Sequence, residues 1–85
     1  MHEMGIASSI IEAIQKEQAR YPGSRARKAG VRIGEFAGVD SESLLFCFEA
    51  IVKDSRLEPL DLGIERSGGD ELDLQWVELD DEVCV

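Results

Sequence analysis

Apolar residues at 6, 7, 10, 11 and 14 repeat at the three-to-four spacing of a helix with one buried face. Lys16, Glu17, Gln18 and Arg20 take the wet side of that helix. Tyr21-Pro22-Gly23-Ser24 ends it. The period then changes to two: Ala29, Val31 and Ile33 alternate with Gly30, Arg32 and Gly34, as in a strand with one buried face. Gly34 to Gly38 forms a glycine-punctuated exit. Asp40 or Ser41 is placed to cap a second helix. Leu44, Leu45, Phe48, Ile51 and Val52 make its apolar stripe, widened by Phe46 and Cys47, with Glu42 and Glu49 outward. Lys53-Asp54-Ser55 closes it.

Leu60, Leu62 and Ile64 alternate again, and so do Leu72, Leu74 and Trp76. Val77 and Leu79 carry the last run on in the opposite phase, which predicts a bulge near Gln75-Trp76. Ser67-Gly68-Gly69-Asp70 has the composition of a tight hairpin joining these two strands. The predicted order is α-β-α-β-β. The layer arrangement that buries all the stripes is α+β, two helices packed on one face of a small, mostly three-stranded mixed sheet. The acidic run Asp80-Asp81-Glu82 reads as a frayed tail.

Eighty-five residues with 44% apolar composition make a single domain spanning 1–85. At that size only roughly 60–65% of the unfolded surface is buried, so the core is thin. No apolar run reaches membrane length and no signal peptide pattern opens the chain, so the expected address is the cytoplasm, with no membrane partner. Two cysteines, Cys47 and Cys84, lie far apart without C-x-x-C spacing, which reads as free thiols in a reducing compartment. Cys47 falls in an apolar run and reads as a core residue; Cys84 reads as exposed. Net charge is −9 and uneven. Residues 1–33 hold six Lys/Arg against three acids, and residues 34–85 hold three against fifteen. Such a chain is a poor binder of phosphate backbones, so no nucleic-acid partner is expected. The basic stretch from Arg25 to Arg32 reads as the solvated face of a strand.

Candidate chemistry sits at the beginning. Met1-His2-Glu3 places an imidazole one peptide bond from a terminal amine. The amine, the imidazole of His2 and the deprotonated amides of His2 and Glu3 can surround a small ion in a plane of nitrogens. Planar nitrogen sets select Cu(II) or Ni(II) over octahedral Mg(II) or tetrahedral Zn(II). The large side chain at position 2 is expected to keep Met1 in place. With one histidine and two cysteines in the chain, a tetrahedral zinc site is not expected. Other groupings offer little. Asp70, Glu71 and Asp73 have no histidine beside them, Ser8 and Ser9 have no base, and the glycines lack a phosphate-binding spacing. Met4 is expected to pack, and Trp76 to anchor the core or its rim.

Met1-His2-Glu3-Met4-Gly5-Ile6-Ala7-Ser8-Ser9-Ile10-Ile11 resembles the start of the HypA/HybF nickel metallochaperones of hydrogenase maturation. The resemblance continues through Val31-Arg32-Ile33-Gly34-Glu35-Phe36-Ala37-Gly38-Val39, Ser43-Leu44-Leu45-Phe46-Cys47-Phe48-Glu49 and Gly69-Asp70-Glu71-Leu72. It implies a Ni(II) site built from the amine of Met1, the imidazole and amide of His2 and the amide of Glu3, whose carboxylate tunes or orients the site. It also implies a nickel-delivery GTPase as partner and the [NiFe]-hydrogenase large subunit as recipient, with urease served in some organisms. Members of this family carry a zinc module with two C-x-x-C pairs between the last two strands. Here residues 65–69 run straight through that insertion point, so the chain reads as the nickel domain with the zinc module missing.

The first functional expectation is therefore a non-enzymatic nickel carrier, monomeric or weakly dimeric through an open strand edge. The alternative is a non-catalytic interaction module that binds a maturation GTPase or enzyme subunit, its metal affinity incidental. A small enzyme ranks last.

Overall fold

A computed structural model describes residues 3–81. The order is α1 (Glu3–Ala19), β1 (Ser24–Gly34), α2 (Ser41–Asp54), β2 (Asp61–Ser67) and β3 (Leu72–Asp81). The expected α+β architecture is the one observed, with a three-stranded sheet in the order β2-β1-β3. Helix α1 starts at Glu3, three residues before the first apolar position of its stripe, because an acidic first turn suits a helix N-terminus. Asp40 is the N-cap of α2, its carboxylate accepting from the backbone N–H groups of Glu42 and Ser43.

The Ser67-Gly68-Gly69-Asp70 segment is not the tight hairpin its composition predicts. Strand β2 runs parallel to β1, and β3 runs antiparallel to β1 on its other side. The turn therefore straddles the C-terminal end of β1, whose following residues fill it. Gly34 N–H donates to Glu71 C=O, Glu35 N–H to Ser67 C=O and Phe36 N–H to Gly69 C=O, at 2.7, 2.8 and 2.9 Å. A parallel β1–β2 pair needs a long crossover, and α2 supplies it.

The expected bulge is present. Gly30 pairs with Trp76 and Val31 with Leu74, leaving Gln75 as the extra residue on β3. A second register shift leaves Arg27 extra on β1. These two insertions let Ala26, Ala29, Val31 and Ile33 share the helix side with Leu74, Val77 and Leu79, while Trp76 turns outward. Trp76 is 47% exposed and covers Gly30 on the open face, so it belongs to the outer surface and not to the core between sheet and helices.

The core is thin, as the length dictates. Ile10, Ile11 and Ile14 of α1 and Leu44, Phe48 and Val52 of α2 close over Val31 and Ile33. Phe46 is corrected: it is 73% exposed and does not widen the apolar stripe of α2. Met4 is half exposed, where packing was expected, and Cys47 is partly buried against the core. Asp80 and Asp81 extend β3 opposite Arg25 and Ser24, so the acidic run is in part a strand and not a frayed tail.

The Arg25–Arg32 stretch meets acids within the sheet. Arg32 lies between Glu65 and Asp73, and Lys28 between Asp61 and Glu78. The Arg32 Nε–Glu65 Oε2 distance is 2.8 Å, and Arg27 Nε lies 3.1 Å from Asp80 Oδ2. The basic run is a solvated face, as expected, and its acidic neighbours are on its own sheet.

Candidate metal centre

The topology gathers one end of the molecule. The C-terminal ends of β1 and β2, the N-terminal end of β3 and the N-termini of both helices lie there together. Two side-chain contacts fasten this end. The Glu3 carboxylate accepts from the backbone N–H of Asp40 at 3.3 Å, joining the first turn of α1 to the cap of α2. The Arg66 guanidinium donates to Ser41 Oγ at 2.6 Å, joining the first turn of α2 to the end of β2.

Of the three expected ligands, Glu3 is described, and Met1 and His2 lie outside the described residues, as does Cys84. The side chain of Glu3 is half-buried and accepts from the backbone N–H of Asp40. Glu3 opens α1, and the first four N–H groups of a helix have no acceptor within it. Its amide can therefore be approached by an ion without breaking an i→i−4 bond. Among the described residues no group of three His, Cys, Asp or Glu side chains is arranged to hold a metal.

The turn at this end carries its own charged constellation. Ser67 Oγ donates to the Glu71 carboxylate in a short hydrogen bond. That bond, followed by one to its own backbone, holds the Glu71 carboxyl below the usual carboxylate range. The Arg32 guanidinium is held above its ordinary value by its hydrogen bond and charge contact with Glu65. Of the acids near this turn, two have defined neighbours. Glu71 is tied to the turn, and Asp73 faces Arg32 across the sheet. The tether from Glu3 to Asp40 and the Ser67–Glu71 bond were missed by sequence reasoning; the first joins residues distant in the chain, and the second depends on the conformation of the turn. Among the described residues no helix is long and apolar enough to cross a membrane.

Residues 1–77 match the family model "Hydrogenase/urease nickel incorporation, metallochaperone, hypA". A "Hydrogenase maturation factor HypA" of Geobacter metallireducens is 39% identical over 69 residues, covering 81% of this chain and 60% of its own length. The protein of that name from Chlorobaculum tepidum is 38% identical, covering 81% of this chain and 61% of its own length. That of Chlorobium limicola is 44% identical over 66 residues, covering 76% of this chain and 56% of its own length. The chain thus spans about 60% of the length of these relatives. A family match over nearly the whole chain, on an α+β frame that presents its first helix turn beside the cap of the second, leads to one conclusion: this chain belongs to the HypA family of nickel-incorporation metallochaperones.

Proposed function

We infer that this chain is a nickel carrier that holds Ni(II) at its N-terminus and passes it on for [NiFe]-hydrogenase maturation without catalysing a reaction. The ligands are the amine of Met1, the imidazole and amide of His2 and the amide of Glu3. The observation that carries this reading is the start of α1 at Glu3, beside the Asp40 backbone. It leaves the Glu3 amide outside the intrahelical ladder while its carboxylate anchors the segment to the packed domain. Amide ligands must be ionised and the imidazole neutral, so metal uptake releases protons and weakens as pH falls. By the usual divalent order Cu(II) binds this donor set at least as tightly as Ni(II), so cellular supply and docking govern which ion is carried.

The proposed setting is the cytoplasm, with a nickel-delivery GTPase and the hydrogenase large subunit as partners. The chain has no C-x-x-C pair, and on this reading residues 65–69 run through the place where the family's zinc module would be inserted. It acts on this reading as the nickel domain alone, without bound zinc. A second reading, the interaction module with incidental metal affinity, is favoured by Phe36. This residue is 74% exposed on the loop that fills the Ser67–Glu71 turn.

Nickel titration of protein with a free amine on Met1 decides between them. The carrier reading expects a planar, diamagnetic Ni(II) spectrum that is lost in His2→Ala and in protein extended before Met1. Equal nickel binding by both variants and the parent would transfer the function to the interaction reading.

A further inference from the structure

The edge of the sheet opposite β2 is open among the described residues, because β3 pairs only with β1. Beside that edge, between α1 and β3, runs an apolar groove of ≈ 540 Å³ lined by Ile6, Ser9, Ile10, Ala13, Leu72 and Leu74. Leu74 also lines a second groove of ≈ 440 Å³ that continues past Val77 and Leu79 toward Glu17 and Tyr21. With Leu74 in both, the two grooves follow β3 from Leu72 to Leu79, the second reaching Gln75 and Trp76 at the bulge as well. A sheet edge with an apolar trough on one face is the receiving geometry for an added strand.

Charge identifies the occupant. The residues of β3 that face away from the helices are Asp73, Trp76 and Glu78, with Asp80 beyond them. The cross-strand cations of Asp73 and Glu78, Arg32 and Lys28, are shared with Glu65 and Asp61 of β2, and Arg32 makes its hydrogen bond to Glu65, whereas Asp80 is paired with Arg27. The open edge is thus left with excess negative charge at Asp73 and Glu78, on either side of Trp76. A second copy of this chain is a poor occupant. Its β3 edge would bring Asp73 and Glu78 against the same acids, and the corresponding face of its β2 carries Asp61 and Glu65. Like charges directly opposite in a sheet are destabilising.

We propose that the β3 edge and its channel under α1 receive an extended segment of another protein in which apolar residues alternate with Lys or Arg. The apolar residues lie in the channel against Ile6, Ile10 and Leu74. The basic residues lie on the open face beside Asp73 and Glu78. About seven residues of added strand span the channel at the ordinary strand rise. This proposal is independent of the metal reading, since the channel lies along α1 and β3 and uses none of Met1, His2 or Glu3.

The test uses a terminally blocked peptide alternating Val and Lys, and a control alternating Val and Glu, added to isotope-labelled full chain without nickel. The expected result is amide shifts confined to β3 and to Ile6–Ala13 for the Lys peptide, and none for the Glu peptide. Affinity is expected to fall by about tenfold between low and physiological salt. Ser9 is exposed, so Ser9→Trp fills the channel without disturbing the core and should weaken binding by at least about tenfold. Shifts mapping to β2, equal binding of the Glu peptide, undiminished binding by Ser9→Trp, or a free chain whose β3 edge is already paired in a dimer would each overturn the proposal.

Discussion

A Cβ placed on Gly34 would sit 2.2 Å from the carbonyl oxygen of Gly69. The turn between β2 and β3 is pressed against the end of β1 at this point, and both sides of the contact are backbone. Gly34→Ala therefore cannot be absorbed by a side-chain rotation. It should cost about 1–3 kcal/mol, at the level of overpacking a core, read as a lowered denaturation midpoint. Unchanged stability would mean that the turn is not docked there.

Gly30 offers the contrast. Its added Cβ would meet the Trp76 indole at 2.3 Å, but that ring is half exposed on the open face and can swing away. A strand Gly→Ala change gains roughly 0.5–1 kcal/mol of backbone preference, which offsets much of the lost contact. Gly30→Ala should alter stability by less than Gly34→Ala does, while red-shifting Trp76 fluorescence. An unshifted spectrum would show that the indole does not rest on Gly30.

At the start of α2, Asp40 Oδ1 accepts from the amides of Glu42 and Ser43 at 3.0 and 3.3 Å. Asp40→Ala should lower stability by about 1 kcal/mol, the usual worth of an N-cap. It leaves in place the backbone N–H that Glu3 accepts from. Glu3→Gln keeps an acceptor oxygen and should be better tolerated than Glu3→Ala. Amide exchange at Asp40 should quicken only in the alanine variant of Glu3.

The Glu71 carboxyl titrates below its ordinary range because Ser67 donates to the charged form. The folded chain then binds fewer protons than the unfolded chain between the two pKa values, and stability rises with pH across that window. The contribution is complete above the unfolded value and is lost as pH falls through the folded one. Ser67→Ala should move the Glu71 midpoint up in an NMR titration and shrink the acid-side loss of stability. A midpoint that stays put in Ser67→Ala would remove the hydroxyl as its cause.

Phe46 and Phe48 stand two residues apart on α2, one 73% exposed and the other fully buried. Phe48→Ala should cost about 3–5 kcal/mol, enough to threaten folding in a domain this small. Phe46→Ser should leave the midpoint nearly unchanged. Comparable losses for both would place Phe46 in a packed interface.

Local periodicity reached a long way into this fold. The stripes of both helices, the Asp40 cap and the Gln75 bulge follow from residues within a few positions of one another. These features are governed by short-range geometry, so the order of residues suffices to read them. Phe46 was misread because an apolar residue beside a stripe looks the same whether or not a neighbouring element covers it. The hairpin was misread for a related reason. Ser67-Gly68-Gly69-Asp70 has hairpin composition, and nothing local reports that β1 lies between the strands it joins.

At the candidate site the division is similar. The run from Met1 to Glu3 and the ordered blocks that follow identified the family directly, because a family pattern resides in the order of residues along the chain. What Glu3 touches was not legible: its partner stands thirty-seven residues away, brought near only when α1 and α2 pack side by side. The amino-acid order thus determined which elements form, where they bend and which family the chain belongs to. Tertiary structure alone decided which strands are neighbours, which edge stays open and what anchors Glu3, because these depend on the mutual burial of distant segments.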